Sequence, residues 1–595
     1  MRLLLLLLFS LRLEAMVIDP VDPAFGVAVA EFATTPNGAQ AQIFGFAGAP
    51  RGRVAVLTAQ KDEPSCFDAA IVMFGPDGTI DRTFGANGRA PGAMLGLPAC
   101  ASPHALAVAP DGAIFIVAVE YQQPPRVWKA RPDGTAAPGF GVGGSASLPG
   151  VESVWRATLQ ALPDGAIAVG GTGRLTGTET WGLAVIRLQA NGLPDTSYGK
   201  GGIAFATPAN RPIFMLSGAG MAVNADGSAL VMGNIFEDDG GARTYTDATV
   251  ARFDARGALD VTYGDAGFAI PLRDASTYAQ SLAVRDGIAY LAGIQNRDVK
   301  SVFVARIDAG GHLDLRYGAA GIASSDSFYE TDFDPIVAVD DAHRVYYLVT
   351  DLHLVPRVTR LAANGVPDPS FGLDGSAFPA ASDWNFAGRT FTLLDDEGRL
   401  LVAADGLTPR DGSQRSTIGV TRLTQGGGHR DGVTGGTAIV FYNAALDHYF
   451  MTADRAEQAL LDNGITAGWR RTGEDLRVVT SAALDPELSP VCRYYGRPEA
   501  HLDSHFFSAA PDECAAVAQR FGASWTLETS QAFQVHLPDR VTGACPRGSL
   551  KVVRAFDNRP DANHYYGWLA PAPPGWIYEG YGAGPYPTAF CAPLL

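Results

Sequence analysis

The sequence predicts a mainly β protein built from repeats. Three observations support this fold class: one short motif recurs along most of the 595-residue chain, a second recurs between its copies, and Gly-rich turns are frequent throughout. The chain is 47% hydrophobic and 18% charged, so it can bury a large core. Its 69 glycines suit the tight turns that connect many short strands.

The first motif ends in an aromatic residue followed by glycine, as in "VARIDAGGHLDLRYGAAG" (304–321) and "VTRLAANGVPDPSFGLDG" (358–375). Its complete copies recur at intervals of 54 to 65 residues. The aromatic positions, including one near the start of the chain, are Phe25, Phe84, Phe140, Tyr198, Tyr263, Tyr317 and Phe371. We interpret them as the packing core of the repeats rather than as a ligand cage.

The second motif has seven copies, such as "VAPDGAIFIVAV" (108–119) and "VNADGSALVMGN" (223–234). Most contain a turn built on Asp and Gly and then an apolar run, which predicts a hairpin leading into a buried strand. Each unit of roughly 57 residues therefore contains four short strands, which is the content of one propeller blade.

One repeat is divided between two distant segments. The last copy begins "GVTRLTQGGG" (419–428) but lacks the aromatic finish, and the missing part, "DPAFG", stands at 22–26. This predicts a seven-bladed β-propeller over residues 19–425, closed by pairing of its N- and C-terminal strands, which removes the open sheet edges. An open solenoid is the alternative, but it does not explain the complementary half-repeats.

These motifs resemble the delta-60 repeat, a bacterial family with the pattern Gly-x-x-Asp-x-x-Phe-Gly-x-x-Gly. The resemblance covers about residues 19–430 and implies a propeller-like array, without catalytic residues to transfer. The second copy departs from the pattern, because Ala137 replaces the Asp and Pro138 follows it.

The motif carboxylates have two interpretations. They could ligate cations such as calcium, or they could accept backbone N–H groups in structural turns, which we favour because one carboxylate per blade is too few for a calcium site. An arginine lies eight residues before most of them and could pair with the carboxylate or pack its stem between blades. The carboxylates are Asp22, Asp81, Asp195, Asp260, Asp314 and Asp368.

The N-terminus predicts export. "MRLLLLLLFSLRLEAMV" resembles a secretory signal over residues 1–15, although an amphipathic start or a mis-assigned start codon would also explain it. The six cysteines then favour disulfides, and no pair has the two-residue spacing of a zinc knuckle. We expect Cys66–Cys100. For the four C-terminal cysteines three pairings are possible, of which we favour Cys492–Cys514 and Cys545–Cys591.

A second domain is predicted at 436–595, after a Gly-rich linker at 426–435. "VFYNAALDHYFMTADRAEQALLDNG" (440–464) is echoed at 491–522 and, incompletely, at 552–568. The first two copies predict a helix after the aromatic strand, so this domain is predicted to be a small α+β repeat domain. It resembles a bacterial domain-of-unknown-function family, found on secreted proteins, whose repeats have a His-Phe-Tyr signature.

Each copy places a histidine before two aromatic residues, at His448, His505 and His564. Three histidines can bind zinc, but histidines in repeated positions more simply have repeated structural roles. Trp469 and Trp525 could bind a sugar or belong to the core. These five residues are the candidate binding residues, and no metal or other cofactor is predicted apart from the calcium alternative.

Two functions remain open from the sequence. We expect a secreted, periplasmic or cell-surface protein that is not an enzyme, a monomeric scaffold that binds a surface glycan or a protein partner. The alternative is a glycosidase-like or lactonase-like hydrolase, or a lyase, with acidic residues and an optional calcium ion in the central mouth. A net charge of −17 disfavours nucleic acid, and no apolar run is long enough for a membrane span.

Overall fold

The computed structural model describes residues 21–593 except 23, 26, 33–39, 64–65, 121, 179, 209–215, 218–219, 239–242, 273–276, 297–299, 325–334, 351–355, 373, 378–383, 386–389, 396–397, 406–407, 410–415, 428–432, 482, 547–548 and 569–571. The predicted signal peptide and half of the predicted linker lie outside these residues. The chain divides into two compact units, one of residues 21–427 and one that contains 428–595.

The first unit is formed by antiparallel sheets, as expected for a mainly β protein. It begins with strand β1 (Val27–Phe32), and the next three sheets follow in chain order. Sheet 1 contains β2 (Ala41–Ala49), β3 (Arg53–Glu63), β4 (Cys66–Phe74) and β5 (Arg89–Pro91), followed by helix α1 (Gly92–Leu95). Sheet 2 contains β6 (Ser102–Val108), β7 (Ile114–Val119), β8 (Arg126–Ala130) and β9 (Ser145–Ser147). Sheet 3 contains β10 (Val151–Ala161), β11 (Ile167–Leu175), β12 (Trp181–Leu188) and β13 (Ile203–Ala206).

Three more sheets continue this order along the chain. Sheet 4 contains β14 (Leu216–Ser217), β15 (Met221–Val223), β16 (Ala229–Asp238), β17 (Arg243–Phe253) and β18 (Phe268–Ala269). Sheet 5 contains β19 (Thr277–Arg285), β20 (Ile288–Asn296), β21 (Lys300–Ile307) and β22 (Ile322–Ser324). Sheet 6 contains β23 (Ile336–Val339), β24 (Val345–Thr350), β25 (Pro356–Leu361) and β26 (Ser376–Ala377).

Sheet 7 combines strands from both ends of the unit. After β27 (Trp384–Asn385) come β28 (Thr390–Leu394), β29 (Leu400–Asp405), β30 (Thr408–Pro409) and β31 (Ser416–Arg422). The sheet order is β28-β29-β31-β1, and Val27 pairs with Thr421 while Phe32 pairs with Ser416. Strands β27 and β30 form a separate two-stranded ribbon.

Buried apolar residues lie between consecutive sheets. In most sheets the first strand leads through an Asp-Gly or related turn into the second strand, whose apolar run packs against the neighbouring sheet. The last such cluster lies between sheet 7 and sheet 1, where Ile418 and Leu401 meet Ile43 and Val54. Contacts therefore run from sheet 1 through sheet 7 and return to sheet 1.

The two ends of these sheets differ in their connections. In sheet 5 the β19–β20 turn and the β21–β22 motif lie at one end, which we call the turn end. The β20–β21 connection and the link to sheet 6 lie at the other, which we call the loop end. The same antiparallel order applies to the other sheets.

The second unit repeats a three-stranded sheet with a helix in two of its copies. The first copy contains β32 (Gly435–Asn443), β33 (His448–Thr452), α2 (Arg455–Asp462) and β34 (Trp469–Val479). The second, after β35 (Ser489–Pro490), contains β36 (Cys492–Gly496), β37 (His505–Ser508), α3 (Pro511–Phe521) and β38 (Trp525–Thr529). The third, after β39 (Gln534–Val535), contains β40 (Ser549–Phe556), β41 (His564–Gly567), β42 (Ile577–Glu579) and β43 (Phe590–Pro593). A short 3₁₀ turn covers Pro498–Ala500.

Both helices begin where the sequence indicates. Asp454 precedes α2, and its side chain accepts the N–H groups of Ala456 and Glu457, which would otherwise have no partner. Pro511 occupies the first turn of α3, where its missing N–H costs nothing. In the described part of the chain, no helix is both long and apolar enough to cross a membrane.

Candidate functional site

The motif carboxylates stabilise tight turns at the turn end. Each accepts the backbone N–H of the residue two positions later at 2.8 to 3.1 Å, as Asp368 does from Ser370. In addition, the N–H of each following aromatic residue donates to the carbonyl of the carboxylate residue, as Phe371 does to Asp368. The geometry is that of a structural turn.

Every motif carboxylate also pairs with an arginine. Four pairs lie within one copy of the motif: Arg187–Asp195, Arg252–Asp260, Arg306–Asp314 and Arg360–Asp368. Arg422 pairs with Asp22 across the divided repeat, with Nε 2.8 Å from Oδ2. In the first copy Met73 replaces the arginine, and Arg53 of β3 reaches Asp81 at 3.2 Å instead. Hydrogen bonds from Arg316 and Arg306 lower the pKa of Asp314 to about 2.

The same arginines connect neighbouring sheets. Arg306 lies over the ring of Tyr317 at 4.9 Å and donates to the carbonyl of Ala363 in the next sheet at 2.5 Å. Arg422 repeats this arrangement with the Phe25 ring, and its donation to Pro76 joins sheet 7 to sheet 1. All seven motif aromatics are at most 4% exposed, so they contribute to the core.

The motif carboxylates are therefore already paired with arginines and with backbone N–H groups. A calcium site needs six to eight oxygen ligands around one point. Within the described ranges no group of three or more His, Cys, Asp or Glu residues could hold a metal ion.

In the second unit the strand pairing shows that the three histidines do not occupy equivalent positions in their copies. Tyr495 pairs with His505 and Phe556 pairs with His564, but the equivalent partner of Tyr442 is Tyr449. His448 instead pairs with Asn443, one position earlier along its strand. The first loop is shorter than the other two, so spacing along the sequence misaligned this histidine.

Each histidine has a different carboxylate neighbour. His448 Nε2 lies 3.2 Å from Asp561, His505 Nε2 lies 3.4 Å from Glu528, and His564 Nε2 lies 3.8 Å from Glu579. Burial, together with the nearby charge of Arg554, lowers the pKa of His564 to about 3. His564 is therefore neutral at physiological pH.

The candidate aromatic residues pack within the unit. The Trp469 ring lies 6.0 Å from Phe450, and the Trp525 ring lies 6.2 Å from Phe506. The ring of His505 contacts Phe450 of the preceding copy at 4.6 Å, and His564 contacts Phe506 at 5.2 Å. Tyr449 closes this cycle by contacting Tyr565 of the third copy at 5.2 Å. The three copies thus interlock in a cyclic order.

Two arginines, one buried and one half-buried, are central to this unit, and the sequence analysis missed them. Arg554 is 5% exposed and contacts Glu513 of the preceding helix at 2.7 Å and Glu579 of its own copy at 2.9 Å. Arg493 makes the equivalent contacts with Glu457 and Glu528. Although burial favours the neutral acid, hydrogen bonds from Arg554 hold the pKa of Glu513 below its ordinary value.

A sequence signal for these networks exists. Trp525 and Trp576 are each followed by glutamate three positions later, and Thr452 and Ser508 are each followed by glutamate five positions later. The three-residue spacing locates Glu528 and Glu579, and the five-residue spacing locates Glu457 and Glu513. Each arginine contacts one glutamate of each kind.

Three disulfides are confirmed in the structure. They join Cys66 to Cys100, Cys492 to Cys514 and Cys545 to Cys591, which are the favoured pairs. Three disulfides indicate an extracellular or periplasmic protein, because reducing compartments keep thiols free.

The loop end of the first unit carries features that do not repeat. The β16–β17 hairpin is paired out to Asp238 and Arg243, and the ribbon pairs Trp384 with Pro409. The Cys66–Cys100 disulfide joins the start of β4 to the segment that precedes β6. These additions distinguish one sheet from another, whereas the turn end is nearly uniform.

Comparison with known proteins gives a limited result. No family model and no curated protein matches this chain. Solved structures with similar folds include a protein of unknown function from Dyadobacter fermentans DSM 18053, with 12% identity over 68% of this chain and 100% of that chain and a TM-score of 0.34. They also include a polysaccharide lyase PL25 ulvan lyase bound to -[GlcA(1-4)Rha3S]-, with 10% identity over 68% and 94% and a TM-score of 0.35. The β-propeller domain of the Trilobed protease from Pyrococcus furiosus has 10% identity over 66% and 98% and a TM-score of 0.36.

Proposed function

We propose that residues 21–427 form a closed seven-bladed β-propeller of delta-60-like repeats, and that the chain is an exported binding protein for a surface glycan or a protein partner. The pairing of β1 with β31 supports closure, because it places the first and last strands of the unit in one sheet. The return of buried contacts from sheet 7 to sheet 1 supports it as well. The second unit is an α+β repeat module of the His-Phe-Tyr type.

The difference between the two sheet ends is the observation that carries the binding function. At the turn end, the carboxylates, arginines and aromatics of the repeat are occupied by contacts within and between sheets. At the loop end, the additions vary from sheet to sheet, as in the β27–β30 ribbon. A rigid scaffold with irregular connections on one side is a common arrangement for ligand binding. We therefore place the contact surface at the loop end.

A binding screen of the whole exported chain tests this function. The protein is applied to a glycan array and to extracts of extracellular protein, and each captured ligand is measured again with two variants. Trp384→Ala changes the β27 strand at the loop end, whereas Leu315→Ala changes a residue that is 68% exposed at the turn end. We expect the first variant to weaken binding and the second to leave it unchanged. The reverse result, or no ligand in either screen, would contradict the proposal.

A second candidate is a hydrolase or lyase that acts at the same end. One observation favours it: Asp405, the last residue of β29 at the loop end, is 3% exposed and accepts the N–H of Ile43 at 2.8 Å. A carboxylate held out of water can serve as a general acid or base. Incubation with uronate-containing polysaccharides, read by ultraviolet absorbance of an unsaturated product and by reducing ends, tests it. Loss of activity in Asp405→Asn would support an enzyme, and no product from the unchanged protein would exclude these substrates.

A further inference from the structure

We propose that the turn end of sheet 2 is a binding site for a small organic carboxylate of the uronic acid class. The site lies where the second repeat departs from the pattern of the other six. It is at the opposite end of the sheets from the surface proposed above, so the two proposals stand or fall separately.

The second repeat has kept its cation and lost its carboxylate. Ala137 occupies the position of Asp260 and Asp314, while Lys129 occupies the position of Arg252 and Arg306. Lys129 lies 5.8 Å from the Phe140 ring, as its arginine equivalents lie over their aromatics. Within the described part of the chain, its ammonium contacts aromatic rings and has no carboxylate partner. The second repeat thus has an unneutralised charge where the others have an ion pair.

A small cavity that is open to solvent lies beside the position of the missing carboxylate. Its volume is about 160 Å³, roughly five times the volume of a water molecule in the liquid. Lys129, Arg131, Pro138 and Phe140 line it on the sheet 2 side, and Ala190 lines it from sheet 3. In sheet 4 the corresponding space is occupied by Arg252, which pairs with Asp260 and donates to the carbonyl of Ala309 in the next sheet. The cavity is therefore an ion-pair position that this repeat leaves open.

One donor that holds the aspartate in the other repeats, the backbone N–H two positions later, is present here, although Gly139 lacks the hydroxyl that also donates in four of those repeats. The N–H of Ser370 donates to Asp368 at 3.0 Å, and the equivalent N–H in the second repeat belongs to Gly139. A bound carboxylate can accept this N–H and the Lys129 ammonium together, as Asp368 accepts Ser370 while pairing with Arg360. The preceding backbone turn is unchanged, because Phe140 still donates to the carbonyl of Ala137 at 3.1 Å.

The surrounding charge favours an anion. Arg131 adds a second cation to the lining, where sheets 4 and 5 have Asp254 and Asp308. The nearby carboxylate is Asp133, which is engaged by the N–H and hydroxyl of Thr135 at 2.9 and 2.7 Å. Asp133 interacts electrostatically with Arg131, so one positive charge, that of Lys129, is left over on a chain whose net charge is −17.

These features define the ligand class. The missing group is a carboxylate, and the available donors match a planar anion with two oxygens. The volume exceeds that of a carboxylate alone, and Pro138 and Ala190 also line it, so it leaves room for a ring or chain beside the charge. A uronic acid meets both conditions, either as a free sugar acid or as a residue of a polysaccharide.

Binding of sodium glucuronate to the full chain tests the site, with glucose as the neutral control. Saturation-transfer NMR detects the contact and calorimetric titration gives the affinity, which we expect on the order of millimolar, because few contacts and one charge are involved. An oligoglucuronate arm distinguishes the two sources: tighter binding than the monosaccharide indicates a polysaccharide, and weaker binding indicates the free acid. If neither glucuronate nor the oligoglucuronate binds, the proposal is overturned.

Variants separate this site from other basic surfaces. Ala137→Asp restores the pattern of the other repeats and should abolish glucuronate binding without loss of stability, because Asp368 is also followed by proline. Lys129→Met should lower affinity at least tenfold, because it removes the charge that pairs with the ligand. Arg316→Ala removes a cation that is 88% exposed at the turn end of sheet 5 and should have no effect. Unchanged glucuronate binding in Ala137→Asp, or equal binding of glucose, would refute the site.

Discussion

Replacing Arg422 with methionine is expected to destabilise the first unit by about 2–4 kcal/mol. Methionine is the natural residue at this position of the first repeat, as Met73, so the change preserves an apolar stem and removes the guanidinium. Arg422 contacts Asp22 at 2.8 Å, the Pro76 carbonyl at 3.2 Å and the Phe25 ring at 4.9 Å. All three partners lie near the start of the unit.

The magnitude follows from the burial of the pair. Removing one partner of a buried ion pair costs about 3–5 kcal/mol, because the other charge loses its compensation. The Arg422 side chain is 5% exposed, but the Asp22 side chain is 22% exposed, so water partly compensates its carboxylate and the expected cost falls to about 2–4 kcal/mol. Asp22→Ala should cost about 3–5 kcal/mol, because it leaves the buried Arg422 guanidinium without its carboxylate.

A double-mutant cycle measures whether the two residues interact. Urea unfolding of the unchanged chain, both single variants and the double variant should give a coupling energy of about 1–2 kcal/mol. Arg306→Met with Asp314→Ala serves as the matched control, because that pair lies within one copy of the motif. If the control pair is coupled but Arg422 and Asp22 are additive within about 0.3 kcal/mol, the reasoning fails.

Three further changes test the energetics of the fold. The pKa of Asp314 in the folded protein is about 2, below its ordinary value of 3.8. The stability that its carboxylate contributes is therefore fully present above pH 3.8 and is lost as the pH falls from 3.8 to about 2. In Asp314→Asn the urea midpoint should change less with pH in that window. Arg554→Val should destabilise the second unit by about 3–5 kcal/mol in urea, because Glu513 and Glu579 would then face each other unpaired. Gly318→Ala should cost about 2 kcal/mol or more by thermal unfolding, because Gly318 has a φ of 53° and an added Cβ would lie 2.2 Å from the Ile322 carbonyl oxygen.

Each of these changes has a matched control. Asp374 is exposed and has no ion pair among those found in the described residues, so Asp374→Asn serves as the control for removing a carboxylate without removing an ion pair. Arg540 pairs with Asp512 at the surface, where both side chains are about 60% exposed, and Arg540→Ala should change stability by less than about 1 kcal/mol. Gly48 has open space around an added Cβ, so Gly48→Ala should be tolerated. A control as damaging as its test variant would contradict the mechanism given for that variant.

Much of the first unit was predictable because its repeats are in register. Asp-Gly turns and apolar runs locate the hairpins, and the incomplete copy at 419–428 pointed to the strand at 27–32. The pairing of Asp81 with Arg53 was not predictable from motif spacing, since the arginine comes from a neighbouring strand. The cavity beside Lys129 also required the structure, because it depends on Ala190 of the next sheet.

The second unit was less predictable because its loops differ in length. The histidine signature aligned His448 with His505, whereas strand pairing aligns Tyr449 with His505. The sequence analysis did not single out Glu457 or Glu513, although each pairs with an arginine of the following copy. Contacts between copies are not encoded in the spacing within one copy.

A cross-link between the chain segments at 29 and 419 tests the central claim most directly. Val29 and Gly419 are paired in β1 and β31, at a separation suited to a disulfide, and the six native cysteines are already joined in three disulfides. In the Val29→Cys, Gly419→Cys variant we expect mass spectrometry of the oxidised, non-reduced digest to recover one peptide pair that links these two positions. Recovery of both introduced cysteines as free thiols in the folded protein would show that the two strands do not share a sheet.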